Sequence, residues 1–482
     1  MNTPYHQRGQ LTLYVLVFSA VAITTLAGLI LWVDSNLKIG YRSIDQAQAQ
    51  AIAEAGIEYA RWHFAHSPND YQDGTGHAGP YVHDYKNKDG VSIGTFSLDI
   101  VPPANGSTII TITSTGWVTA APTLTKKIRV QLAPESVIKY AVLANSNIKF
   151  ESGTEIFGPV HSNGGIHFDG IAHNLVTSAR STYNDPDHSG ANEYAVHTHA
   201  TTTDPLPTAQ LPVRNDIFMG GRLFPVPPVD FAGITKGMAQ IKSAAQSGGK
   251  YFGKSGAKGY HIVLKTNGTY TVTKVKKTLK IPKGCKNTQH QKGWATWSID
   301  SGNSSEQTVG TYNYPANGII FFEDNVWVDG QIKNNILTIA AAKLPASKKS
   351  FKNIIINHSV AYTYYDGRDV LGLVSQGDVH VGMASDATLR VDAAVVAQNG
   401  RVGRYYYRPA VGSKTYCAPY DTRTSITFNG MIATNTSYGF AYTDGSGYQS
   451  RTILFDAHLQ YNPPPTFPLI STDYHQILWS QL

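Results

Sequence analysis

From Leu11 to Val33 the chain reads LTLYVLVFSAVAITTLAGLILWV, 23 residues without a charge. Wound as a helix at ~1.5 Å per residue, such a run is long enough to cross the apolar core of a bilayer. Asp34 ends the apolar run, but nothing after it ends the helix. No proline falls between Asp34 and Ala65, and only Gly40 and Gly56 are weak helix formers. Ile44, Ala47, Ala51, Ala55, Tyr59 and Trp62 recur at three- and four-residue steps, which places them on one face. Pro68 and Asn69 then stop the pattern. The spacing predicts a single helix over residues 10–66, apolar in its first half and amphipathic in its second.

More than 400 residues follow, enough for two or three domains. Charged residues make up only 15% of the chain, while Gly numbers 44 and Tyr 28. Low charge with abundant Gly, Thr, Asn and Tyr suits a β-rich exported protein. Two cysteines, Cys285 and Cys417, permit one disulfide or none, and they exclude both a disulfide-stapled scaffold and a cysteine-built zinc site. The net charge of +7 conceals an asymmetry: between Phe231 and Ile299 there are 13 lysines and no Asp, Glu or Arg. A block this one-sided is a candidate surface for a polyanion.

Residues 67–134 open with turn chemistry from Ser67 to about Asp89. Three alternating stretches follow, Val91–Ile100, Ser107–Gly116 and Leu124–Leu132, which read as antiparallel strands with a hairpin signal at Asn105-Gly106. Beyond Pro134 short units recur. Ala141–Phe150, Val160–Phe168, Ile320–Val328, Leu373–Val381, Val395–Val402 and, more weakly, Met431–Tyr438 each join two apolar strands through a turn of Asn, Gln, Gly or Asp. Asn145 and Asn163 are 18 residues apart, and Gln376 and Gln398 are 22 apart. Such periods suit the coils of a parallel β-solenoid, with Val379, Val381, Val395 and Val402 facing inward; a β-sandwich with similar hairpins is the alternative.

The expected fold class is therefore mainly β with one long N-terminal helix. The expected segments are a helix over 10–66, a small antiparallel region over 67–134, a first solenoid part over 135–230, a lysine-rich inserted module over 231–311, a second solenoid part over 312–455 and a proline-containing cap or tail over 456–482. Within these, Ser178–Pro228 reads as loop, Thr235–Ser247 as a short helix with Met238, Ile241 and Ala245 on one side, and Tyr260–Thr273 as a hairpin about Asn267-Gly268.

Two clusters bear on chemistry. Lys265, Lys274, Lys276, Lys277, Lys280, Lys283, Lys286 and Lys292 interleave with Tyr251, Phe252, Tyr260, Tyr270, Trp294 and Trp297. Charge with exposed aromatic faces would suit DNA or an anionic glycan. The second cluster holds His161, His167, His173, His188, His197 and His199, with Asp169, Asp185 and Asp187 nearby. His197 and His199 could offer two imidazoles to a metal from one strand face; otherwise the histidines face solvent and no cofactor is expected. Glu151 with Glu155, and Asp366 with Asp369, lack the spacing of a catalytic pair. No G-x-S-x-G, P-loop, H-E-x-x-H or Rossmann glycine set is present, so a non-enzymatic role is expected.

The N-terminal layout resembles that of type IV pilins and pseudopilins. The resemblance rests on Gln7-Arg8-Gly9, Gln10-Leu11-Thr12-Leu13 and the helix behind them, and looks closest to minor pilins with a QRG start and a downstream pattern like Ala49-Gln50-Ala51 and Ala53-Glu54-Ala55. It implies a leader over 1–9, cut by a prepilin peptidase between Gly9 and Gln10. It also implies a single-pass membrane helix carrying Leu11, Leu13, Tyr14 and Val33, an exported body that reaches the cell surface, and other pilins and the pilus assembly machinery as partners. The chain departs from the family at two places: Gln10 stands where phenylalanine is usual, and Tyr14 where the family has a glutamate. That carboxylate is held to offset a neighbour's buried N-terminal amine, so its absence implies a rare subunit, not a repeating one.

Overall fold

Small side chains decide how the long helix packs. The computed structural model describes residues 8–103, 107–187, 190–231, 237–347 and 350–482. It divides into two units, the first running to Pro102 with Ile110–Leu132 and Leu478–Leu482, the second comprising Pro103–Ile109 and Ala133–Ile477. Helix α1 covers Arg8–His66 without a break. Its second half lies on an antiparallel sheet of β1 (Tyr81–Lys86), β2 (Ser92–Val101), β3 (Ile110–Val118) and β4 (Thr125–Ser136), in that order. The face that packs is Ala49, Ile52, Ala53, Gly56, Ile57, Ala60 and Phe64, which lies on β2 and β3 with Phe96 beside Gly56. This corrects the expected face: Ile44, Ala47, Ala51 and Trp62 are exposed.

The physical reason is backbone proximity. A Cβ on Gly116 would lie 2.4 Å from Ala53 N and 2.5 Å from Ala49 O, and one on Gly56 would lie 2.3 Å from Ser114 Oγ. Only the smallest residues allow so close an approach, and the apolar period alone did not weigh size. Two further expectations are corrected. β1 lies within the stretch assigned to loop. The C-terminal segment, expected as a cap or tail, ends in the strand Leu469–Gln481, which joins the edge of the sheet beside β4. Leu482 N–H donates to Lys127 O at 3.0 Å. The turn expected at Asn105-Gly106 lies outside the described residues.

The second unit is a large, mainly parallel sheet wound into coils. One ladder runs, in spatial order, through Lys250–Phe252, Ile319–Phe322, Ile336–Ala341, Val370–Ser375, the ends of Thr388–Ala397 and Thr422–Thr434, then Val142–Ala144, Val160–Ser162, Val176–Ser178 and Arg222–Leu223. A second ladder stacks Val326–Ile332, Ile354–Ile356, Val379–Val381, Val402–Arg404 and Tyr438–Gly439. The recurring sequence units supply rungs of these ladders, except that Ile148–Phe150 and Ile166–Phe168 stack with Val196–His197 in a separate three-stranded parallel sheet; Val379, Val381, Val395 and Val402 all lie in the core. The middle rungs of the first ladder are buried on both faces, so Ile319–Phe322 and residues 370–374 carry no polar side chain and do not alternate.

Chain order and spatial order differ. The chain enters the stack in its middle at Val142, winds out to Leu223, then restarts at the far end with Lys250. It winds back until Ile432 pairs with Val142. The link between the two arms carries the helix Met238–Ser247, whose buried Met238, Ile241 and Ala245 cover the outer face of Ile319 and Phe321; residues 235 and 236 of the expected helix lie outside the described residues. The lysine-rich segment is consequently not a module inserted into the stack. Lys250–Phe252 and Gly259–Leu264 are its first rungs, and Gly259–Leu264, Thr269–Val275 and Glu306–Asn313 form an antiparallel layer continuous with it.

Polar ladders hold the corners. Asn163 Nδ2 donates to Asn145 Oδ1 at 2.8 Å, Asn145 Nδ2 to Asn435 Oδ1 at 2.7 Å, and Asn435 Nδ2 to Gln398 O at 2.9 Å. The buried hydroxyls of Ser162, Ser178, Ser375 and Thr434 donate to carbonyls around the same turns. The helix–sheet contact of the first unit is tested by Gly116→Ala, which we expect to cost about 1–3 kcal/mol, since backbone must yield. Gly40→Ala, with nothing within 4 Å, should be neutral or slightly stabilising. Hydrogen exchange across β2 to β4 reads the difference.

Candidate functional site

Three regions carry the residues singled out from sequence. In the first, α1 exposes its entire apolar half: Leu11 is 69% exposed, Tyr14 59% and Val33 48%, and Leu13 and Gln10 are also exposed. By length and composition α1 could cross a membrane, and none of its most apolar window is buried within the chain. Gly9 lies in the first turn of α1; residues 1–7 of the expected leader fall outside the described residues.

In the second region, Lys276, Lys277, Lys280, Lys283, Lys286 and Lys292 are exposed, and Lys265 and Lys274 are half-buried. Lys236 lies outside the described residues. The aromatics do not join these lysines at the surface. Phe252, Tyr260 and Tyr270 are buried in the core of the coils, Trp297 stacks on His380 at 4.8 Å, and Trp294 donates Nε1–H to Tyr406 O. Alternating strands turned these rings inward, so the expected stacking platform is absent among the described residues. The segment bearing the lysines is tied down by a disulfide between Cys285 and Cys417, a pairing that sequence spacing left open. Beside it His261 lies between Glu306 (2.8 Å) and Asp329 (2.9 Å), joining the antiparallel layer to a coil. Burial acts to lower its pKa, but the two carboxylates outweigh it and push it up to about 9.

In the third region histidines meet, and they do not face solvent. This corrects the expectation: His161, His167 and His197 are buried. Parallel pairing of Ile166–Phe168 with Val196–His197 sets His167 directly beside His197, and His199 follows two residues on. Their rings lie 4.1–5.0 Å apart by centroid. Three carboxylates converge on them. His167 Nδ1 lies 2.8 Å from Asp185 Oδ2, and His197 Nε2 is 3.2 Å from the same oxygen. Glu193 reaches His197 Nε2 and His199 Nε2, each at 2.8 Å. Asp169 takes His167 Nε2 at 2.9 Å and accepts the N–H groups of His199 and Ala200. Burial lowers the pKa of His167, but Asp169 and Asp185 more than reverse this, raising it to about 9. Burial resists charge on both carboxyls in turn, and His167 overrides it, holding them well below the usual carboxylate range.

His161 is held apart by Thr177 and Asn163, and His173 by Glu155; His188 lies outside the described residues. Glu193 escaped sequence reasoning because no motif links it to a histidine. The signal for His167 was present, as Ile-His-Phe and Val-His-Thr occupy neighbouring rungs. Of the acidic pairs considered for catalysis, Glu151 pairs with Lys149, Asp366 pairs with Arg368, and Asp369 accepts the N–H groups of Thr363 and Tyr364.

The chain matches no family model and no curated protein. Among solved structures it aligns with the competence-associated pilin ComZ from Thermus thermophilus at 12% identity and a TM-score of 0.30, over 91% of this chain and 97% of that one. At that score the overlap is too slight to carry an argument.

The His261 triad sets a pH dependence. Its folded pKa of about 9 stands above the ~6.5 of an unfolded histidine. Its stabilisation is therefore complete below pH ~6.5 and is lost as pH rises through 9, a change on the order of 2–3 kcal/mol. Thermal melts of wild type and His261→Gln should differ most at pH 6 and converge by pH 9.5; a constant difference across that range would contradict the assignment.

Proposed function

We propose that this chain is a non-enzymatic, pilin-like subunit of a type IV filament, of the minor kind. One observation carries the reading. α1 passes without a break from an uncharged, fully exposed half into a half that lies on an antiparallel sheet through alanine and glycine. Exposed apolar surface on that scale needs a bilayer or a bundle of like helices around it. A helix already gripped by its own sheet can pass from one to the other without unfolding the sheet.

In this reading the leader is removed between Gly9 and Gln10 by a prepilin peptidase, and the helix stays on the mature protein. The protein is first a single-pass membrane protein with an exported body, then a surface component bundled with other pilins by the assembly machinery. Tyr14 leaves no carboxylate to meet a neighbouring amine, which supports a role at low copy number. The parallel-sheet body is the part that meets a surface or primes assembly.

N-terminal sequencing of the protein recovered from cells is expected to begin at Gln10. Gly9→Val should retain the leader and be missing from sheared filaments. Mature protein beginning anywhere after Val33 would overturn the proposal.

A further inference from the structure

The second unit gathers three imidazoles and a carboxylate at one focus. We propose that His167, Asp185, His197 and His199 bind a divalent first-row transition ion, with zinc as the occupant their chemistry fits. The donor set is three imidazole nitrogens and one carboxylate oxygen, and one ligand atom from each lies within 4.8 Å of all the others. A tetrahedral zinc site with bonds of ~2.0–2.1 Å needs its ligand atoms somewhat over 3 Å apart, so rotamer adjustments suffice to close the set.

The outer contacts already choose which nitrogen faces the focus. His197 Nδ1 is 2.9 Å from Tyr194 O, and a carbonyl can only accept, so that nitrogen keeps its proton; Nε2, turned toward Asp185 and Glu193, is the nitrogen that can give up a proton to a metal. Asp169 holds Nε2 of His167 and leaves Nδ1 inward. His167 Nδ1 is the second observation. It is buried, with the residue 2% exposed, and lies 2.8 Å from Asp185 Oδ2, yet it makes no aligned hydrogen bond. Nδ1 and Oδ2 thus stand side by side at the focus, as two ligands of one ion would. Glu193 stands at the same focus, so a dication would offset a concentration of buried carboxylate charge.

The four ligands are protein groups and three of them are buried, with His199 half-buried, which marks a structural site over a catalytic one. The ion would fasten the excursion bearing Asp185 to rungs 166–168 and 196–197. That excursion is poor in apolar residues, and its strands are two residues long. No thiol competes, since both cysteines are bonded to each other.

The test uses the full-length protein in detergent, stripped with chelator and titrated with zinc. Bound metal is measured by elemental analysis after gel filtration, and cobalt is used as a spectroscopic probe. The expected result is one equivalent per chain, a melting temperature raised by about 5 °C, and the intense visible bands of tetrahedral cobalt. Asp185→Asn, which keeps the side-chain shape, and His197→Gln should each weaken binding at least tenfold. Asp169→Asn, acting through His167, should weaken it roughly 10–100-fold at unchanged stoichiometry. His173→Gln, outside the cluster, should leave it unchanged. If His197→Gln fails to fold, Asp185→Asn carries the test alone. Well under one equivalent at micromolar free zinc, or binding by Asp185→Asn equal to wild type, overturns the proposal.

Discussion

Water is the wrong solvent for the first half of α1, and the functional reading follows from that. More than a dozen Leu, Ile, Val, Phe and Trp side chains between Leu11 and Val33 stand exposed. Burying each is favourable by about 1.5–3 kcal/mol, which places the whole run on the order of 20–40 kcal/mol away from comfort in solution. Nothing among the described residues of the chain covers it. The second half of the same helix faces the opposite situation. Ala49, Ala53 and Gly56 have little apolar area to offer, and they gain instead from close approach, Ala49 and Ala53 to Gly116 and Gly56 to Ser114. One half is built for a partner outside the chain and the other for a partner within it.

In the second unit the equivalent constraint is the ladder of backbone hydrogen bonds. Every rung between the ends needs a neighbour on both sides, and the chain enters the stack with neither in place. Val142–Ala144 gains one neighbour from the rung 18 residues later, but the other, Met431–Thr434, is almost 300 residues away. The rung that comes first in the chain is therefore completed only by one of the last. The Asn145–Asn435 hydrogen bond and the contact of Arg451 Nε with Thr154 Oγ1 tie the same seam on the side-chain level.

Much of this was legible in the residues, and the failures have physical causes. The helix was readable because an uncharged run and an unbroken helical pattern leave few alternatives. The rungs were readable because Asn and Gln recur at one corner of several coils, where they bond to the rung beside them. The packed face of α1 was not, since hydrophobic period points to Ile44 and Trp62 whereas backbone proximity selects alanine and glycine. The permuted order of the coils was not, because a ladder pairs strands by register and not by chain distance. At the histidine cluster, His197 and His199 were visible as neighbours in sequence. His167, Asp185 and Glu193 join them only through the parallel register and the return of the 182–194 excursion. The lysine segment read as charge with aromatic faces, and the strands placed the charge outside and the rings inside.

The account stands on the claim that the apolar half of α1 is always covered by something other than water. The direct measurement is where the chain with an intact helix resides in cells. It should divide between a carbonate-resistant membrane pellet and filaments sheared from the surface. Recovery of the same intact chain as a soluble monomer in the medium, with no lipid or sister subunit attached, would contradict it.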